Sequence, residues 1–312
     1  MDYSNKYLYK PKFTIKMDET EYIWMDGKLV KWKEAKIHVL THTFHYGGGA
    51  FEGIRFYKTG KGIAIFRLKE HIDRLYYSAS KLKMEVPYSK EELIKAVKET
   101  VKVNKIEEGY IRPICYFGYG KMGVNPKGMA VNCAIAVWPW GKYLGDKNIS
   151  VKISRYIRIH PKSTHTDAKI CGHYVNSILA SVEARDKGYD EALLLDYEGN
   201  VVEGSGENIF IVKNGKLITP PLGRILNGIT RASVIGIAKD EGIKVEEKEI
   251  KPEDIYNADE AFFTGTAAEV TAIDSVDDRK IKGGPVTKKL RDLFMDIVHG
   301  KNKKYERWLD YI

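Results

Sequence analysis

Lys169 sits in TDAKICGHYVNSILASVEARDKG, residues 166–188, just ahead of a helix with a readable apolar face. Val175, Ile178, Leu179 and Val182 recur at helical spacing, and Asp186, Lys187 and Gly188 close the segment. A glycine and the aromatic hydroxyl of Tyr174 follow the lysine. A lysine amine is a nucleophile once it has lost its proton. In a lysine-rich chain the same residue reads first as one more surface cation, so the case for chemistry has to come from other residues. Glu203 is the odder candidate: an acid at a strand end, between Val202 and Gly204, followed by the polar run Ser205 to Asn208.

Three glycine-containing turns lie in the second half, VVEGSGENIF, ILNGITRAS and FFTGTAAEV. None has the glycine spacing of a Walker loop or a dinucleotide fingerprint. NGIT, just before a helix, has the outline of an anion site, because free backbone N–H groups and the positive end of the helix dipole would point at a phosphate. Many helices begin this way for capping alone. His38, His42 and His45 are spaced four and three apart, which a helix would align. The Gly47-Gly48-Gly49 that follows argues instead for a close backbone approach, and no metal is assigned. Arg74, in KEHIDRL, reads by default as one more exposed helical arginine.

The elements that must position these residues read as a mixture of strands and helices. EYIWMDGKLVKW predicts two strands about an Asp-Gly turn. Helices are expected over Leu68 to Leu82 and Lys90 to Lys105, then strands in YIRPICYFGYG and MAVNCAIAVWPW. The stretch from Trp138 to Asp146, dense in Gly, Pro and aromatics, reads as an interdomain connection. It separates a small α+β domain, residues 1–137, from a larger one, residues 147–312. In the second part EALLLD, NVVEG, ENIFIVKNGKLIT (turning at Asn214-Gly215), IKVEEKEI and EAFFTGTAAEV read as strands. TRASVIGIAKDEG and roughly Val286 to His299 read as helices.

The 312 residues, 43% of them apolar, suffice for two domains with a large core. No apolar run is long enough to span a bilayer, and MDYSNKYLYKPKF lacks a signal core, so a cytoplasmic protein is expected. Cys115, Cys133 and Cys171 are widely scattered and offer neither a disulfide framework nor a metal motif. The net charge of +9 invites a nucleic-acid reading, but basic residues interleave with acids, as in KEELIKAVKETVKVNK, which describes solvated helix faces. Neither nucleic acid nor membrane is an expected partner.

Taken in order, E-G-S-G-E-N-I-F (203–210), L-I-T (217–219) and L-N-G-I-T-R (226–231) resemble the signature of the class IV, fold-type IV pyridoxal-phosphate enzymes. Within that class HYGGGAFEGIR, YIRP, KMGVNP, WPWGKYLG, EARDKGYDEALLLD and GTAAE resemble the branched-chain amino acid aminotransferases, from about Glu21 to the end. The resemblance implies an α/β fold of the D-amino acid aminotransferase-like kind: a small α+β domain, a pseudo-barrel α/β domain and an active site between them. It implies pyridoxal 5′-phosphate as cofactor, and Lys169 as the lysine that bonds the cofactor aldehyde and later carries a proton. Glu203 would keep the ring nitrogen protonated and Tyr174 would bond the ring oxygen. Leu226 would pack on the ring face. Arg74 would bind the phosphate, with the Gly228, Ile229, Thr230 and Gly265, Thr266 turns supplying donors.

For the substrate the resemblance assigns Tyr46, Phe51, Val124, Trp140 and Tyr143 to an apolar side-chain pocket. Tyr110 and the N–H groups of Thr266 and Ala267 would hold the substrate carboxylate, and Arg112 the distal carboxylate of glutamate. These aromatics read equally as core, their commoner fate. Asn227 stands where close relatives often have proline, and Gly48-Gly49-Ala50 is a smaller-residue version of the loop after Tyr46. The implied reaction is amino transfer between leucine, isoleucine or valine and 2-oxoglutarate, with biosynthesis the expected role and a homodimer or a trimer of dimers the expected assembly. Rival readings are a D-amino acid or (R)-amine transaminase, an aminodeoxychorismate lyase of the same class, and a basic binding protein without catalysis.

Overall fold

The structure, a computed structural model, describes residues 17–141, 144, 147–281 and 283–312. EYIWMDGKLVKW forms the expected hairpin, β1 (Tyr22–Met25) and β2 (Lys28–Lys31). A short helix, α1 (His42–Tyr46), precedes β3 (Gly49–Phe51). The segment IRFYKTGKGIAIF is a second hairpin, β4 (Ile54–Thr59) and β5 (Gly62–Phe66), followed by α2 (Leu68–Lys81) and α3 (Lys90–Asn104). Two long strands, β6 (Gly109–Phe117) and β7 (Val131–Trp138), pair along their length. Helix α2 buries Leu68, Ile72, Leu75 and Ala79, one stripe at three- and four-residue spacing, and α3 buries Leu93, Ala96, Val97 and Val101. Both stripes pack with Ile54, Ile111 and Ile135 of the sheet in one core. Truncating the fully buried Leu75 to alanine would cost about 2–5 kcal/mol.

The second sheet begins with β8 (Ile149–Ile153), β9 (Glu191–Leu195) and β10 (Val201–Gly204). It continues with β11 (Asn208–Lys213), β12 (Lys216–Thr219), β13 (Val245–Glu247), β14 (Glu260–Gly265), β15 (Glu269–Val276) and β16 (Arg279–Lys280). Strand β10 pairs with β9 on one side and β11 on the other, so β10-β9-β8-β15-β14-β11 closes into a ring, the pseudo-barrel. The closing pair is Glu203 with Asn208, which puts the odd acid on the barrel seam. Outside the ring lie α4 (Tyr174–Asp186), α5 (Ile229–Asp240), α6 (Pro252–Tyr256) and α7 (Pro285–Val298).

The structure adds three features to the sequence reading. The chain does not part cleanly at the connection, four of whose residues (142, 143, 145 and 146) lie outside the described ones. Its last strand, β17 (Leu309–Tyr311), returns to the first sheet and pairs with β5. Trp308 packs edge-on to Phe66 there, and the short segment before it carried no alternation that could announce a strand. Second, the stripe of α4 does not enter the core: Val175, Ile178, Leu179 and Val182 are all exposed, and the buried face is Ala180, Glu183 and Ala184. Third, Cys115 and Cys133, scattered in sequence, face each other across β6 and β7.

Candidate active site

Lys169 is held where the two sheets meet. Phe51 N donates to Lys169 O at 3.1 Å, Gly172 N donates to Gly47 O at 3.0 Å, and Lys169 N donates to Ser78 Oγ of α2 at 2.9 Å. Gly47 has φ +67°, and a Cβ there would stand 2.7 Å from the Gly172 Cα. The glycine run is thus a close backbone approach, and what it approaches is the lysine's own segment. The half-buried Lys169 amine donates to the Tyr174 hydroxyl at 2.5 Å. The rings of Phe51 and Tyr174 flank it, their centroids 5.0 and 5.1 Å away. The three histidines do not hold one another: His42 Nε2 lies 2.8 Å from Gly123 O and His45 Nε2 2.8 Å from Val39 O.

The inner end of the cleft is acidic. Glu203 Oε2 accepts from Leu226 N at 3.0 Å and Asn208 Nδ2 at 3.2 Å, while the buried Arg158 Nε donates to Oε1 at short range. An anion at that position is fully partnered. Two further buried acids stand around the same turn. Glu191 Oε1 accepts from Ser205 Oγ and Ala192 N, each at 2.7 Å, and its Oε2 is buried without a partner. Glu207 Oε2 accepts from Gly206 N at 3.0 Å. Burial, then the charges of Glu191 and Glu203, push the Glu207 carboxyl up to about 8.

The outer end is built to meet an anion. Gly228 caps α5 without any side-chain acceptor, so the first N–H groups of the helix open toward the cleft-lining residues Ile229 and Thr230. A Cβ at Gly228 would come within 1.9 Å of Asn208 Oδ1, so the turn requires glycine. Arg74 Nε and Nη2 form a fork onto Glu52 at 2.6 and 2.8 Å, and Nη1 donates to Asn227 O at 2.9 Å. His71 Nδ1 lies 2.7 Å from the same carboxylate. Burial pushes the fully buried Glu52 up, but the charge and hydrogen bonds of Arg74, with His71, outweigh it and hold the carboxyl well below its usual range. Burial pushes His71 down, so the imidazole is a neutral donor to Glu52.

The third wall carries Arg112 on β6, over the ring of Phe51 at 4.9 Å and of Tyr110 at 5.4 Å. Among the described residues Arg112 has no acidic partner, and its Nε is buried without an acceptor. Below it Arg55, almost fully buried, donates to Trp140 O, Gly141 O, Thr266 O and Ala267 O, stitching the start of the connection to the 266–267 turn.

One cleft of about 740 Å³, open to solvent, is therefore lined by Phe51, Arg74, Tyr110, Arg112, Trp140, Lys169, Tyr174, Leu226, Gly228, Ile229, Thr230, Gly265, Thr266 and Ala267. Glu203 lines a smaller cavity that shares Lys169, Tyr174 and Leu226 with it. Tyr46 and Val124 do not line the cleft; both are exposed, and Tyr143 lies outside the described residues. Glu52, Arg55 and Arg158 are functional neighbours that sequence reading missed. Glu52 and Arg55 stood without a role inside HYGGGAFEGIR, and their partners, like those of Arg158, are remote in the chain. Glu207 stood in the polar run after Glu203, a signal without a role attached.

Residues 49–276 match the family model of class IV aminotransferases, described as "Amino-transferase class IV". The branched-chain-amino-acid aminotransferase of Pseudomonas aeruginosa is 48% identical over 298 residues, 93% of this chain and 97% of that one. Among solved structures, the branched-chain aminotransferase of Thermoproteus uzoniensis with norvaline superposes with a TM-score of 0.91 at 48% identity, covering 93% of this chain and 99% of that one. The Thermobaculum terrenum branched-chain amino acid aminotransferase in its PLP-form gives 0.89 at 35% identity, covering 94% and 98% of the two chains. The chain belongs to the class IV aminotransferases, the pyridoxal-phosphate enzymes of this fold.

Proposed function

We propose that this chain exchanges an amino group between leucine, isoleucine or valine and 2-oxoglutarate, giving branched-chain 2-oxo acids and L-glutamate in the biosynthetic metabolism of these amino acids. The observation that carries the reading is the Arg112 wall. Its rings (Phe51, Tyr110, Trp140) offer an aliphatic chain a dry surface, and its one guanidinium, without an acid of its own among the described residues, offers a distal carboxylate a fork. A pocket for both leucine and glutamate needs both on one wall.

The residues present fit pyridoxal 5′-phosphate: an uncapped helix start beside Arg74 for its phosphate, and a partnered carboxylate, Glu203, at the opposite end. When bound there the cofactor supplies an aldehyde carbon and an electron-withdrawing ring. Glu203 would keep a proton at the ring nitrogen, and Arg158 and the Leu226 N–H hold that carboxylate in place. Lys169 would be the residue that holds the cofactor aldehyde and carries a proton, with the Tyr174 hydroxyl 2.5 Å from its Nζ to orient the amine. Tyr110 and the Thr266 and Ala267 N–H groups receive the substrate carboxylate, and Arg55 fixes the turn that carries them. Loaded protein should convert L-leucine with 2-oxoglutarate and leave D-leucine nearly untouched. A preference for D-leucine would move the chain to another branch of the class.

A homodimer completes the pocket in this reading. Tyr46 and Val124 stand outside their own cleft, 42% and 82% exposed, and Gly123 N donates to the Tyr46 hydroxyl at 3.2 Å, so the two form one patch. The α4 stripe is a second exposed apolar surface, of the kind that marks a protein contact. Light scattering should give at least twice the chain mass. Val124→Glu should raise KM for leucine without disturbing the cofactor spectrum, and an active monomer would contradict the assembly.

A further inference from the structure

The first sheet brings together two cysteines that lie 18 residues apart in the chain. Cys115 in β6 is directly opposite Cys133 in β7. The hydrogen bonds fix the kind of pair. Cys133 N donates to Asp26 Oδ1 at 2.8 Å and Cys133 O accepts from Asp26 N at 2.9 Å, both on the side away from β6. Pro113, two residues before Cys115, gives the same parity independently: it has no N–H for β7, and its carbonyl accepts from Glu52 N at 2.9 Å on the other side. Cys115 and Cys133 are therefore a non-hydrogen-bonded pair, the kind with Cα atoms about 4.5 Å apart and side chains closest. A disulfide spans about 4.4–6.8 Å between Cα atoms. The two Sγ atoms lie 2.9 Å apart, both buried under α2 and α3. Side chains alternate along β6, so Cys115 lies on the face opposite Arg112.

We propose that Cys115 and Cys133 form a cross-strand disulfide, made by exchange with a small-molecule disulfide before the core closes over them. One cysteine, as thiolate, attacks a sulfur of the reagent, forming a mixed disulfide and releasing one small thiol. The other then attacks the protein sulfur of that mixed disulfide and releases the second small thiol. The two protein sulfurs lose two electrons, the reagent gains them, and the two thiol protons leave on the released thiols. In the closed core the hydrogen bond with Cys115 and burial push the Cys133 thiol far up, which quenches exchange there and places the step on the opened chain. The half-buried Cys171, at the lysine segment, stays out of the pair. The bond ties the strand of Tyr110 and Arg112 to the strand that leads to Trp140 without entering the cleft.

The test refolds the full chain from denaturant with oxidised glutathione, removes the reagent, then alkylates under denaturing conditions and weighs the intact protein. One adduct, on Cys171, is expected before reduction and three after it, with a Cys115–Cys133 peptide in the digest. The oxidised form should melt roughly 5 °C or more above the reduced one, because a bridge of this span constrains the unfolded chain. The Cys171→Ser variant should bridge equally well. Should refolding fail, the same reagent added to native protein at the onset of melting gives the same readout. Three adducts before reduction, a bridge that uses Cys171, or glutathione left on Cys115 or Cys133 would overturn the proposal.

Discussion

Glu52 and Glu207 are both buried carboxylates beside one cleft, and the fold treats them in opposite ways. Glu52 meets a guanidinium fork and an imidazole from a single helix, and stays charged far below the usual carboxylate range. Glu207 receives one backbone N–H and faces two more acids, Glu191 and Glu203, so it keeps its proton up to about 8. A buried charge persists where it is paired and is given up where it is not. The cations divide in the same way. Arg74 and Arg158 are fixed by counter-ions, whereas Arg112 has none among the described residues.

Glu52→Gln attacks the paired side and should have the largest effect. It leaves Arg74 buried without its counter-ion, a loss of about 3–5 kcal/mol, read as the shift in a chemical denaturation curve. A loss below about 1 kcal/mol would place Glu52 among weakly coupled charges. Arg112→Leu attacks the unpaired cation. It should cost about 2–4 kcal/mol for glutamate or 2-oxoglutarate, roughly thirty- to a thousandfold in kcat/KM. The leucine half-reaction, followed by single-turnover absorbance, should change far less, and equal losses in both would make Arg112 scaffold.

Glu203→Gln keeps the shape of the seam but removes its charge, and should lower kcat by about a hundredfold with cofactor still bound. Unchanged turnover with intact binding would contradict its role. The effect of Glu207→Gln depends on pH. The folded pKa lies above the unfolded one, so the folded state holds more protons between about 4.5 and about 8. The stability conferred by the neutral acid is present below the unfolded value and is lost as pH rises through this window. The variant should therefore melt like the wild type near pH 5 and above it at pH 8.5. Parallel melting curves across that range would mean that Glu207 has found a partner.

Lys169 and Glu203 were legible through the family motifs that carry them, and the NGIT turn through its own residues, since a glycine ahead of an apolar helix marks an open helix start. The hairpins and amphipathic α2 and α3 were legible because period and turn residues are local. Arg55 and Arg158 were not, because an arginine in a strand or loop shows its purpose only against carbonyls or acids brought from far along the chain. The α4 stripe was misleading in a specific way. Periodicity says that a face is covered, but not whether its own core or a second copy covers it. Cys115 and Cys133 became a pair only when register set them opposite each other.

Catalysis turns on which of the chain's many lysines holds the cofactor. Protein loaded with pyridoxal 5′-phosphate, reduced with borohydride, digested and mapped by mass should carry a pyridoxyl-phosphate label on the peptide containing Lys169, with one label per chain. The Lys169→Ala variant should carry none and lose nearly all transamination. A label on another lysine in the wild type, or wild-type turnover in the variant, would contradict the account.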